Sequence, residues 1–142
     1  MIVFDLDGTI ALNDHRQHFV ERPKGQKDWY AFFEACDMDV PNYELIRILF
    51  ALRDAGRTVE IWSGRTDIVQ IKTEHWLRNF GLNDLPLKMR PADDYTSDVD
   101  LKRSWYHAAP VKPVLCFDDR DKVVKMWREL GVVCCQVAPG DF

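Results

Sequence analysis

The sequence predicts a doubly wound, Rossmann-like α/β fold: a parallel five-stranded sheet with helices on both faces. Three observations predict it. Short runs rich in Val, Ile, Leu and aromatics alternate with longer amphipathic stretches. A glycine, Gly56, Gly81 or Gly131, stands just past three of those stretches, where helices stop. Polar and acidic residues cluster behind three of the apolar runs, at the carboxyl ends where such sheets bind ligands.

The strands are expected over Met1 to Phe4, Thr58 to Trp62, Leu85 to Met89, Val114 to Phe117 and Val132 to Val137, mostly bounded by Gly, Pro or Asp. Between them, Glu44 to Ala55 sets Leu45, Ile46, Leu49 and Leu52 on one helical face. Asp67 to Phe80, Asp98 to Ala109 and Asp121 to Leu130 read as further helices, with Val123, Trp127 and Leu130 sharing a face in the last. Strand, helix, strand in repetition implies right-handed crossovers and a parallel sheet. The stretch from about 13 to 40 fits least well. Asn13 to Asp28 reads as an exposed loop carrying Arg16, Arg22, Lys24 and Lys27, followed by a short aromatic-rich helix over Asp28 to Cys36. It is an insertion too small to be a lid, so residues 1–142 are expected to form one domain.

Composition narrows the function. The 142 residues, 46% hydrophobic and 30% charged, are those of a globular protein with one core. A net charge of −4 argues against coating nucleic acid or an acidic membrane, yet leaves room to grip a single phosphate. Met1-Ile2-Val3-Phe4 carries no basic leader, no apolar run approaches a membrane span, and Cys36, Cys116, Cys134 and Cys135 contain no C-x-x-C pair. A cytoplasmic protein with reduced thiols is the expectation.

The sharpest motif is Asp5-Leu6-Asp7-Gly8-Thr9, at the end of the first strand. Two carboxylates one residue apart can enter one site; a plain strand-end turn is the competing reading. Ser63-Gly64-Arg65 and Asp118-Asp119-Arg120 end two further strands on the same edge. Four carboxylates so gathered repel one another unless a cation sits among them, and hard oxygen ligands select Mg²⁺. Lys102 is the candidate cation for a transferring phosphoryl group, with Asp98 one helical turn before it to hold the ammonium; an exposed ion pair is the alternative.

In order and spacing these motifs resemble the haloacid dehalogenase superfamily of phosphotransferases, over nearly the whole chain. The resemblance implies that Asp5 is the nucleophile and carries an aspartyl-phosphate, and that Asp7 is the acid and then the base. It further implies that Ser63 and Lys102 bind phosphoryl oxygens, and that Asp5, the backbone carbonyl of Asp7, Asp118 and Asp119 hold Mg²⁺. One departure is visible: many members carry another acid about four residues after the aspartate pair, where this chain has Lys122 and Val123. Asp121 is expected only to cap the following helix.

A narrower resemblance follows from Asp14-His15-Arg16, Trp62-Ser63-Gly64-Arg65, Asp118-Asp119-Arg120, Met126-Trp127-Arg128 and the ending Gln136 to Phe142. These are similar to the phosphatase half of phage-type polynucleotide kinase-phosphatases. That implies removal of a 3′-phosphate, and even of a 2′,3′-cyclic phosphate, from DNA or RNA ends, with Arg16, Arg65 and Asp98 as substrate-binding positions. Arg65, at the start of a helix, is expected to reach a phosphate oxygen bidentately. About fifty residues separate Asp7 from Ser63, so the cap is small or absent and the site open.

No G-x-x-x-x-G-K-[ST] loop is present, so kinase activity is expected only from a partner or a domain outside this chain. Trp29, Tyr30, Phe32 and Phe33 offer a base-stacking surface, although most of them are expected in the core. His15 and His18 read as loop polar groups rather than metal ligands. The rival functions are a phosphatase of free nucleotides or another small phosphate ester, a phosphoprotein phosphatase, and a receiver-type switch. In a receiver the acidic pair follows the first strand, whereas here Asp118-Asp119 comes late.

Overall fold

The computed structural model describes residues 1–140; Asp141 and Phe142, which close the C-terminal motif, lie outside the described residues. In chain order the elements are β1 (Ile2–Phe4), β2 (Ala11–Leu12), α1 (Trp29–Glu34), β3 (Val40–Pro41), α2 (Tyr43–Asp54), β4 (Val59–Thr66), α3 (Gln70–Asn79), β5 (Leu87–Arg90), α4 (Asp98–Ala108), β6 (Leu115–Asp118), α5 (Asp121–Glu129) and β7 (Val133–Gln136). Short 3₁₀ turns cover Asp14–Phe19, Ala35–Met38 and Asp67–Val69.

Among the described residues a five-stranded sheet runs in the order β5-β4-β1-β6-β7, with every neighbour parallel. Alternate side chains of a strand point to opposite faces, and β1 shows the result. Ile2 and Phe4 enter a core with Leu45, Ile46 and Leu49 of α2 and Trp76 and Leu77 of α3. Val3 joins Trp62, Cys116, Val123, Val124 and Trp127, the core under α4 and α5. Helices thus cover both faces, as the sequence predicts. The chain leaves β1 toward β4 and β5, then returns to the other side of β1 at β6. The carboxyl ends of β1 and β6 therefore flank the point where strand order reverses, the place where open α/β sheets make ligand crevices.

Four expectations are corrected. β4 runs on to Thr66, so Ser63 and Arg65 lie within the strand rather than after it; the Arg65 side chain finds buried ionic partners, and the pairing to β5 shifts register between Ser63 and Thr66. β5 starts at Leu87, because Pro86 has no N–H for the ladder and contributes only its carbonyl, which accepts from the Ile61 amide. The insertion is not simply an exposed loop. Its ends are pinned by the antiparallel pair β2–β3, and Arg16, on its first 3₁₀ turn, is fully buried, while Arg22 to Lys27 remain exposed. Asp121 does not cap α5 through its side chain; its carboxylate accepts from Gln136 Nε2 instead.

The four cysteines are unpaired, and the neighbours Cys134 and Cys135 point to opposite sides of β7, one buried and one exposed.

Candidate active site

The site is built from strand ends. Asp5 follows β1 directly and its amide donates to the Phe117 carbonyl, so β6 fixes where the carboxylate starts. Asp118 closes β6 and Asp119 follows it; both are buried, as is Asp5. One carboxylate oxygen from each of Asp5, Asp118 and Asp119 lies within 4.8 Å of the other two. Between them, Lys102 of α4 donates to Asp5 Oδ1 at 2.6 Å and to Asp118 Oδ2 at 2.7 Å.

The charges do not balance. Three buried carboxylates face one ammonium. Burial, helped by repulsion from Asp118 and Asp119, pushes the Asp5 carboxyl well above the usual range despite Lys102. Burial and the neighbouring Asp118 push Asp119 up to about 7. Burial works against the charge on Lys102, but Asp118 and Asp5 outweigh it and hold the ammonium protonated. An excess of hard oxygen donors with too little positive charge is the donor set that Mg²⁺ satisfies, so the residues present fit that ion.

The motif glycine has a steric reason. Gly8 takes φ +79°, and a Cβ there would collide with the Asp119 carboxylate. The hydroxyl of Thr9 reaches that same carboxylate, donating to Asp119 Oδ1 at 3.4 Å.

Asp7 belongs to a second, adjacent cluster. Arg16 Nη2 donates to Asp7 Oδ1 at 2.5 Å, and Arg65 donates to the same carboxylate through Nη2 and Nε. Burial opposes the charge on Asp7, but the Arg65 and Arg16 guanidinium groups prevail and hold its carboxyl well below the usual range. Both arginines are anchored from behind by Asp39, which no motif singled out. Asp39 accepts from Arg16 Nε and Nη2, each at 2.6 Å, from Arg65 Nη2 at 2.8 Å, and pairs with His15 Nε2 at 3.0 Å. Arg65 also donates to Thr73 Oγ1, and Arg16 to the Phe32 carbonyl. Arg65 thus sits in a buried network rather than projecting from a helix start.

Asp98 is placed differently from expectation. Its two oxygens are taken by Arg90 and Arg120, not by Lys102. Asp98 opens α4 beside the end of β5, within reach of Arg90, while Lys102 one turn later reaches back to the sheet. Lys102 still feels the Asp98 charge at longer range. Arg90 additionally donates to the carbonyls of Gly64, Asp94 and Thr96, which ties down the chain between β5 and α4. Arg90 was not singled out, although a cation directly after the expected strand Leu85 to Met89 is a signal that could have found it; Arg120 was quoted in a motif without a role.

These groups surround an open cavity of about 620 Å³. Asp5, Asp7, Asp98 and Lys102 line it, with Arg90 and Arg120. Ser63, Arg16, Arg65, Asp118 and Asp119 are buried and do not line it; the Ser63 hydroxyl accepts from the Arg65 amide at 3.2 Å. Part of the lining is aromatic. Of the four aromatics of α1 only Phe32 is buried, against the expectation of core; α1 is six residues long and lies along the cavity, which Trp29, Tyr30, Phe32 and Phe33 all line.

Comparison with known proteins gives the same frame. The whole chain, residues 1–142, matches the family described as "Polynucleotide kinase PNKP phosphatase domain". It is 28% identical, over 136 residues, to a protein of Autographa californica nuclear polyhedrosis virus described as a candidate bifunctional polynucleotide kinase/RNA ligase, covering 92% of this chain and 18% of the viral one. In two structures of the Pnkp1/Rnl/Hen1 complex, one of them named as an RNA repair complex, a chain superposes with TM-scores of 0.82 and 0.81 at 29% identity. Those matches cover 99% of this chain but 43% and 46% of the longer ones. The HAD domain of the effector Lem4 from Legionella pneumophila shares the fold at TM-score 0.54 and 12% identity, covering 99% of this chain and 86% of that one. With its strand-end aspartates and parallel sheet, the chain belongs to the polynucleotide kinase-phosphatase family as a haloacid dehalogenase-type phosphatase domain.

Proposed function

We propose that this phosphatase removes the 3′-phosphate from a DNA or RNA end in a Mg²⁺-dependent reaction, with the phosphoryl group carried transiently on Asp5. The observation that carries this reading is the Lys102 ammonium set between Asp5 and Asp118 in a cluster of three buried carboxylates beside an open cavity. A nucleophilic carboxylate needs that arrangement, since its charge must be retained yet directed at phosphorus. The side chains of Asp5, Asp118 and Asp119 and the backbone carbonyl of Asp7 would hold Mg²⁺. Bound there, the ion supplies charge neutralisation to the phosphoryl oxygens.

In the first displacement an Asp5 oxygen bonds to phosphorus, the P–O bond to the 3′-oxygen breaks, and Asp7 gives its proton to that leaving oxygen. In the second, water bonds to phosphorus, Asp7 takes its proton, and the Asp5 acyl-phosphate bond breaks to release phosphate. One group serves in both directions. In the free enzyme the arginines hold Asp7 as a carboxylate, and an arriving phosphate raises its proton affinity through like-charge repulsion. Lys102 binds phosphoryl oxygens, Ser63 in β4 braces the Arg65 amide, Arg16 and Arg65 hold Asp7 in register, and Asp98 fixes Arg90 and Arg120 on the cavity wall. The 3′-hydroxyl product suits a strand-joining reaction, with a kinase partner or domain outside this chain acting on the 5′ end.

Phosphate release from matched oligonucleotides bearing a 3′- or a 5′-phosphate, and from a mononucleotide and an aryl phosphate, tests the reading with Mg²⁺ and with EDTA. Metal-dependent release from the 3′-phosphorylated oligonucleotide, well above the mononucleotide, is expected. Equal rates on the mononucleotide and the oligonucleotide would transfer the site to free nucleotides, and undiminished release in EDTA would remove the metal.

A further inference from the structure

The cavity is larger than a phosphate requires, and its lining is of two chemistries. At about 620 Å³ it lies in the range of cavities that enclose small organic ligands, roughly 300–1,000 Å³. The lining beside Asp5 is charged, with Lys102, Arg90 and Arg120 alongside Asp7 and Asp98. The rest of the lining carries Trp29, 43% exposed, and Tyr95, 90% exposed. Exposed rings gathered in one cleft, unlike rings scattered singly over a surface, mark a ligand-binding groove.

Neither ring hangs on a slack segment. Trp29 stacks with Phe33 of the same helix, ring centroids 5.9 Å apart and planes 28° from parallel, and α1 is capped by Asp28, which accepts from the Ala31 amide. Tyr95 stands between Asp94 and Thr96, whose carbonyls both accept from Arg90 Nη1. The cation that lines the phosphate side therefore also fastens the backbone carrying Tyr95.

From this juxtaposition we infer that Trp29 and Tyr95 form a stacking subsite for the terminal nucleobase of a 3′-phosphorylated end. The occupant is argued from complementarity and continuity: anionic phosphate toward Lys102, Arg90 and Arg120, and a flat uncharged ring toward the aromatic lining of the same cavity. Stacking on aromatics tolerates any base. The inference deepens the proposed function and rests on it.

The test compares kcat/KM for two single-stranded 3′-phosphorylated ends of one sequence, one with its terminal base and one with an abasic terminal sugar. Stacking predicts that wild type favours the base-bearing end over the abasic one by about five- to a hundredfold, through KM. Trp29→Ala and Tyr95→Ala should bring the ratio of base-bearing to abasic ends toward one, and Trp29→Phe should restore much of it. A wild-type ratio near one, or alanine variants that keep the wild-type ratio, overturns the subsite while leaving the phosphatase reading in place. Absence of release from every 3′ end by wild type overturns the phosphatase reading, and the subsite with it.

Discussion

Asp39 shows how much of the proposed catalytic geometry can rest on a residue that does not line the cavity. It receives Arg16 and Arg65 on one side, while Asp7 receives them on the other. The two arginines are thus held between two carboxylates, and Asp7 inherits its position from Asp39. Asp39→Asn keeps the shape and removes the charge opposing two buried guanidinium groups. We expect unfolding free energy to fall by up to about 3 kcal/mol in urea titrations, and turnover to fall by about 10²-fold because Asp7 shifts. Asp7→Asn separates the two effects. Its side chain is 18% exposed and the arginines keep Asp39, so Asp7→Asn should cost less stability than Asp39→Asn while turnover drops by about 10²–10⁴-fold. Matching losses of stability in the two variants would contradict this division of labour.

At the scale of elements, the sequence exposes what strand ends do and hides what buried side chains do to strands. Asp5 and Asp118 were legible because acids abutting apolar runs must sit at sheet edges. The Asp39 network was not, since a single acid before Val40 carries no periodic or spacing signal. Arg16 lay in a stretch whose neighbours, from Arg22 on, are exposed, and only the buried partners Asp7 and Asp39 explain its burial. The overrun of β4 to Thr66 has the same cause, because a buried ionic partner lets an arginine continue a strand. That overrun makes Gly64 a close-packing position: a Cβ there would meet the Asp98 carboxylate, itself held by Arg90 and Arg120. Gly64→Ala should therefore push α4 from the end of β4. We expect a loss of about 1–3 kcal/mol by thermal or urea unfolding, as for overpacked cores, with a fall in turnover that Mg²⁺ does not restore. Wild-type stability and activity together would show that Asp98 can move freely.

For the molecule as a whole, the active site is a charge imbalance that folding must carry. A net charge of −4 is modest, but three of the negative groups are buried around one ammonium. Burial and Asp118 set the Asp119 carboxyl near pH 7 in the fold, against about 3.8 when unfolded. Between these values the folded protein binds more protons than the unfolded chain, so metal-free stability must fall as pH rises through that window. Asp5, raised chiefly by burial, acts in the same direction. Asp7 acts oppositely, but its folded value lies below the usual range, so its contribution is complete above about pH 4 and lost only in stronger acid. With EDTA present, urea unfolding should accordingly show stability declining from about pH 5 to 7.5, by on the order of 4 kcal/mol at most. Saturating Mg²⁺ binds the deprotonated cluster and should stabilise most at the alkaline end, flattening the decline. A metal-free protein that grows more stable from pH 5 to 7.5 would mean that Lys102 alone balances the cluster.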